Sequence, residues 1–209
     1  MATALEKVLQ MKIVPVVTIH DAGHCDALAN ALMEGGLPCA EITLRTAAAP
    51  DTIQSMAKRG DMLVGAGTVL TIDQVKQAVD AGATFMVAPG LNPKVVGYCR
   101  EQNIPIAPGV ATPTDIETAL DLGLNILKYF PAEAFGGLET LKAICAPYSG
   151  VKFIPTGGIN PGNLIAYLKH PKVEACGGSW MVKSAFIAAG RFDKISSLTR
   201  EAVNLVQNM

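Results

Sequence analysis

The segment MLVGAGTVLTIDQVKQAVDAGATFMVAPG, Met62–Gly90, holds one complete structural repeat, and its reading sets the expected fold. Met62–Val64 is a short apolar run of the kind that forms a buried strand. Thr71 is a candidate N-cap, because its hydroxyl can accept from a free N–H of the first helical turn. Ile72–Asp80 follows with helical spacing of its apolar residues. Gly82 then ends the helix, and Phe85–Val87 starts the next strand.

The same order recurs along the chain. Apolar runs at Ile13–Ile19, Cys39–Leu44, Met62–Val64, Phe85–Val87, Ile104–Ala107, Asn125–Tyr129, Val151–Ile154 and Val173–Cys176 read as strands. Helical segments fall between them at Ala22–Met33, Pro50–Lys58, Ile72–Asp80, Pro93–Glu101, Pro113–Leu122, Leu138–Ala146 and Pro161–Lys169. A last helix is expected within Arg191–Gln207, and another before the first strand. Strands this short and uniformly apolar suit a parallel sheet covered on both faces. Strand starts lie about 20–28 residues apart, near the length of a βαβ unit. About eight such units without a linker predict an α/β fold, a single-domain (βα)8 TIM barrel over residues 1–209. The competing open, doubly wound sheet lacks support: no GxGxxG follows the first strand, and GAGTVL at Gly65–Leu70 lacks the third glycine.

Composition removes several function classes. The chain has 209 residues and a net charge of -1, with 50% hydrophobic and 17% charged residues, too apolar for disorder and too balanced for a nucleic-acid binder. Its apolar runs fall well short of the roughly 18 residues that would span a membrane. Glu6 and Lys7 stand where a secretory leader would be apolar. Five cysteines without a CxxC pair read as reduced thiols of a cytoplasmic protein. His20 and His24 are separated by the Asp21 cap, and neither HExxH nor GxSxG occurs, so no metal site is expected.

Polar residues inside apolar strands are the informative ones, because burial penalises them. In LPCAEITLR, alternation puts Cys39, Glu41, Thr43 and Arg45 on one side, with Glu41 and Arg45 directed into the barrel or its mouth. They form either a buried ion pair, a poor stability device, or part of a site. In NILKYFPAE, Lys128 stands beside Pro131 at the carboxyl edge of a strand. It is either a lysine snorkelling to water or a nucleophile, since an apolar, aromatic setting favours the neutral amine that attacks carbonyls. Thr156, Gly157 and Gly158 end the seventh run, and Gly177, Gly178 and Ser179 follow the eighth. Glycine pairs there serve tight turns or bind phosphate through backbone N–H groups. Thr68 is a hydrogen-bond donor at the mouth or a turn residue.

Together AEITLRT (Ala40–Thr46), VGAGTVL (Val64–Leu70), LKYFPAE (Leu127–Glu133), FIPTGGI (Phe153–Ile159) and GGSWMV (Gly177–Val182) resemble, in order over nearly the whole chain, the 2-keto-3-deoxy-6-phosphogluconate (KDPG) / 4-hydroxy-2-oxoglutarate (KHG) aldolase family. The resemblance implies a class I, Schiff-base-forming lyase with no metal or cofactor. Lys128 then matches the imine-forming lysine and Glu41 the general acid/base. Arg45 and Thr68 match groups holding the substrate carboxylate, with Pro89 and Phe130 lining that end. Gly157, Gly158 and Ser179 match phosphate-binding positions, supported by Thr156. The implied partner is a small 2-keto acid, and the implied assembly a homotrimer. Two other readings use the same barrel: a metal-independent phosphosugar isomerase or epimerase with Glu41 as proton shuttle, and a non-catalytic phospho-metabolite binding protein.

Overall fold

A computed structural model describes residues 2–209 and places nine short strands between helices. The strands are β1 (Ile13–Val17), β2 (Cys39–Thr43), β3 (Leu63–Gly67), β4 (Met86–Val87), β5 (Ile106–Ala107), β6 (Gly109–Val110), β7 (Ile126–Tyr129), β8 (Lys152–Pro155) and β9 (Cys176–Gly178). Every ladder is parallel. β1 and β2 are buried along their whole length, with helices outside and side chains of other strands inside.

The closed (βα)8 barrel expected from the repeat is not what forms. The strands make two sheets, a six-stranded one ordered β5-β4-β3-β2-β1-β9 and a three-stranded one ordered β6-β7-β8. Among the described residues, two isolated bridges, Phe153 with Val173 and Thr156 with Gly177, link β8 to the β9 side. The break on the other side lies at Pro108, which has no N–H to donate and separates β5, at the end of the fifth apolar run, from β6 just beyond it. β5 pairs with β4, whereas β6 pairs with β7, so the two-residue strands on either side of Pro108 serve different sheets. Gly109 has to be a glycine here, because the Pro89 backbone carbonyl occupies the place of a Cβ.

Helix ends follow the capping residues. Thr71 accepts from Gln74 N–H at 3.2 Å, and Thr112 caps Pro113–Asp121. Asp21 caps a 3-10 turn, Ala22–His24, which leads into helix Cys25–Glu34. The helix expected from Pro161 starts only at Leu164 and runs to Leu168. Asn160 N–H donates to Asn163 Oδ1 at 2.8 Å and Gly162 N–H to Asn160 Oδ1 at 2.9 Å, so asparagine side chains hold residues 160–163 in turns instead. A short helix, Ser184–Ala188, has no counterpart in the sequence reading. Helix Ala4–Gln10 precedes β1, and the terminal helix Phe192–Gln207 packs on Cys25–Glu34, with Thr199 where a Cβ at Gly35 would stand. No helix among the described residues is long and apolar enough to cross a membrane.

Candidate active site

Glu41 lies in β2 and Lys128 in β7, strands of different sheets. Their side chains meet in the interior, Lys128 Nζ 3.3 Å from Glu41 Oε1, at 5% and 3% exposure. β3, the neighbour of β2, makes room for this pair. A Cβ on Gly67 would coincide with the Glu41 carboxyl group, and one on Gly65 with the Phe85 ring. The two glycines of GAG at Gly65–Gly67 therefore serve packing against a carboxylate and an aromatic ring, not a dinucleotide. Removing two charges from water costs several kcal/mol per ion before their attraction is counted. Mere stability therefore does not explain the pair.

Arg45 does not join Glu41, so the alternative of a Glu41–Arg45 ion pair is set aside. β2 ends at Thr43, and Arg45 stands exposed beyond it, with no ion pair among the described residues. It lines a cavity of about 380 Å³ together with Phe130, Thr156, Gly157, Gly158 and Ser179. Phe130 connects the cavity to the buried pair, because its ring centroid lies 5.3 Å from Lys128 Nζ. Thr68 and Pro89 follow β3 and β4 and do not line this cavity. Thr68 is left-handed, at φ 58°, an uncommon conformation for a β-branched residue. Leu44 N–H donating to Gly67 O at 2.8 Å and Val69 N–H donating to Val87 O at 3.2 Å brace the backbone on either side of it.

The glycine loops have specific reasons for lacking side chains. Gly157 and Gly158 take φ 97° and 86°, which L side chains rarely adopt. Gly158 O accepts from Asn160 Nδ2 at 3.0 Å and Asn163 Nδ2 at 3.1 Å. The Thr156 side chain fills the Cβ position of Gly177, and the Trp180 ring that of Gly178. Ser179 is exposed beside them.

Three polar cavity residues escaped the sequence reading: Thr18, Lys183 and Ser184. Thr18 stands next to last in the first apolar run, and KS follows directly on GGSWMV; polar residues at or beside recognised strand ends were the available signal. Thr43 Oγ1 donates to Val17 O at 2.8 Å and lies 3.0 Å from Thr18 Oγ1, while Ser184 Oγ donates to Thr18 O at 2.9 Å. These bonds tie together the loops after β1, β2 and β9. Lys183 is exposed, makes no ion pair among the described residues, and holds Nζ 5.9 Å from the Phe186 ring. The five cysteines are free and buried; burial pushes the Cys39 thiol up to about 12 and that of Cys99 to about 11, which keeps those two as thiols at neutral pH.

Fold and site define an α/β protein of parallel strands with a buried lysine–carboxylate pair next to a cavity lined by two exposed cations and glycine loops. A family model described as KDPG and KHG aldolase matches residues 5–198. A 2-dehydro-3-deoxy-phosphogluconate aldolase of Treponema pallidum is 45% identical, over 99% of this chain and 99% of that protein. A KHG/KDPG aldolase of Escherichia coli K12 is 42% identical, over 96% and 95%. The crystal structure of the KDPG aldolase from Legionella pneumophila, with pyruvate captured at low pH as a covalent carbinolamine intermediate, superposes at a TM-score of 0.91 with 37% identity, covering 94% of this chain and 96% of that one. The chain belongs to the KDPG and KHG aldolase family.

Proposed function

We infer that this protein is a Schiff-base aldolase that cleaves KDPG to pyruvate and glyceraldehyde 3-phosphate. The observation that carries this reading is the buried contact between Lys128 Nζ and Glu41 Oε1 at 3.3 Å. A lysine must be neutral to attack a ketone, and a carboxylate at that distance can take the ammonium proton. In this scheme the Lys128 amine adds to C2 of the substrate, and Glu41 returns the proton to the carbinolamine hydroxyl, which leaves as water. The resulting iminium draws the electron pair of the C3–C4 bond. As that bond breaks, Glu41 accepts the C4 hydroxyl proton, directly or through water, and the aldehyde departs. Glu41 then protonates C3 of the enamine, and water hydrolyses the pyruvyl imine to free the lysine.

Arg45, with its two-pronged guanidinium, suits the substrate carboxylate, with Thr68, Pro89 and Phe130 completing that end. Gly157, Gly158 and Ser179 hold the phosphate, supported by Thr156; Lys183 adds a cation and Ser184 a hydroxyl. Cleavage of 4-hydroxy-2-oxoglutarate to pyruvate and glyoxylate belongs to the same proposal, since the chemistry at C2–C4 is unchanged. The family resemblance supports a homotrimer, which light scattering of the purified chain tests. Five buried free thiols favour a reducing, cytoplasmic setting. Incubation with pyruvate and borohydride, followed by intact mass and peptide mapping, tests the function. One reduced pyruvyl group on the Lys128 peptide is expected. An unmodified chain overturns the mechanism in favour of an isomerase or binding protein.

A further inference from the structure

Behind the Gly157–Gly158 loop lies a second polar cluster for which the reaction scheme has no use. Glu133 begins a 3-10 turn, Glu133–Phe135, shortly after the lysine strand. Its backbone N–H donates to Gly157 O at 3.0 Å, and that of Ala132 to Thr156 O at 2.8 Å. Its Cβ and Cγ occupy the space a side chain at Gly158 would need. Its carboxylate accepts from the Tyr167 hydroxyl at 2.5 Å. Tyr167 is 1% exposed and sits on Leu164–Leu168, the helix that follows the glycine loop. A Cβ on Gly137 would meet both side chains, 2.9 Å from Glu133 Oε1 and 3.3 Å from the Tyr167 hydroxyl. Burial and then the Glu133 carboxylate hold the Tyr167 phenol well above the usual tyrosine range, so it remains a donor.

A loop of two positive-φ glycines has much backbone freedom to lose, and a backbone cradle helps a ligand only when it is set beforehand. The Glu133–Tyr167 bond ties the turn that follows the lysine strand to Leu164–Leu168, the helix that follows the glycine loop. We propose that Glu133 and Tyr167 are a positioning pair that fixes the Gly157–Gly158 loop relative to the lysine strand and so sets the preference for phosphorylated over unphosphorylated substrate. The proposal rests on the reading of that loop as the phosphate subsite. Neither side chain lines the cavity.

Steady-state kinetics of the full chain on KDPG and on 4-hydroxy-2-oxoglutarate test it, with Ser179→Ala as the control for the subsite itself. Tyr167→Phe keeps the ring and loses the bond; it should raise KM for KDPG about fivefold, the worth of one buried hydrogen bond, and leave kcat and the unphosphorylated substrate unchanged. Glu133→Gln, whose amide oxygen still accepts, should restore behaviour close to the parent. Glu133→Ala carries the same expectation as Tyr167→Phe and serves if the tyrosine variant does not fold. Equal losses on both substrates, or no change, in a background where Ser179→Ala does discriminate, overturn the positioning role alone. If neither Ser179→Ala nor Tyr167→Phe discriminates, the phosphate subsite itself is misplaced and the proposal falls with it.

Discussion

The strand-borne half of the site and its loop-borne half are built on opposite principles. Lys128 and Glu41 sit mid-strand, each nearly inaccessible, 3.3 Å apart and contributed by different sheets. Arg45, Lys183 and Ser179 stand exposed on loops beside glycines whose φ angles are positive, and neither cation meets a carboxylate among the described residues. In the first region, low polarity strengthens electrostatics; in the second, water screens charge and, in the proposed function, the backbone does much of the recognition. Damage to the strand-borne half should therefore appear in kcat, and damage to the loops in KM and in the choice of substrate.

Lys128→Ala gives the largest expected effect: no borohydride-trapped pyruvyl group and loss of essentially all cleavage. Trapping at full stoichiometry in that variant would move the nucleophile elsewhere. Next comes Gly67→Ala, whose methyl group needs the place of the Glu41 carboxyl. A displacement near 1 Å predicts a fall in kcat of about 100-fold. Gly65→Ala instead meets the Phe85 ring, so it should lower the melting temperature, with an overpacking cost of about 1–3 kcal/mol. Should Gly67→Ala lose only stability and keep kcat, the distinction between the two glycines disappears.

Loop variants should be milder. Ser179→Ala is expected to raise KM for KDPG about tenfold while sparing the unphosphorylated substrate, consistent with one hydrogen bond to a charged group. Lys183→Ala should cost about threefold, and the loss should shrink as salt is added, because the charge is exposed. A salt-independent effect would assign Lys183 a packing role. The smallest effect concerns alkaline stability. The folded Tyr167 phenol titrates above its unfolded value of about 10, so its contribution is complete below that pH and declines as pH rises toward the folded value. Melting curves above about pH 10 should thus fall more steeply for the parent than for Tyr167→Phe.

Much of this was legible in one dimension. β1, β2 and β7 lie inside the apolar runs that announced them, and Thr71 caps the helix that its hydroxyl marked. Lys128 and Glu41 stood out because a charge in an apolar strand needs a partner or a task. Three things were misread or unseen. The ladder does not close, because a strand pattern says nothing about which edges pair across Pro108. The carboxylate partner of Lys128 lies 87 residues away in sequence, whereas Arg45, four residues from Glu41 on the same alternation, lies outside the strand altogether. Helix Leu164–Leu168 begins late because asparagine side chains bond to the backbone of the preceding turn, a competition that periodicity does not register.

Local pattern was enough to determine which segments are strands and helices, that the strands are buried on both faces, and which polar groups are out of place. These follow from side-chain period, capping chemistry and the cost of burying charge, all properties of neighbours in the chain. The tertiary structure decided the rest: two sheets in place of a ring, the lysine joined to Glu41, the glycines of β3 spent on a carboxylate and a ring, and Lys183 brought beside the glycine loops. Each of those depends on contacts between residues far apart in sequence, where a missing N–H or a single methyl group determines what can meet.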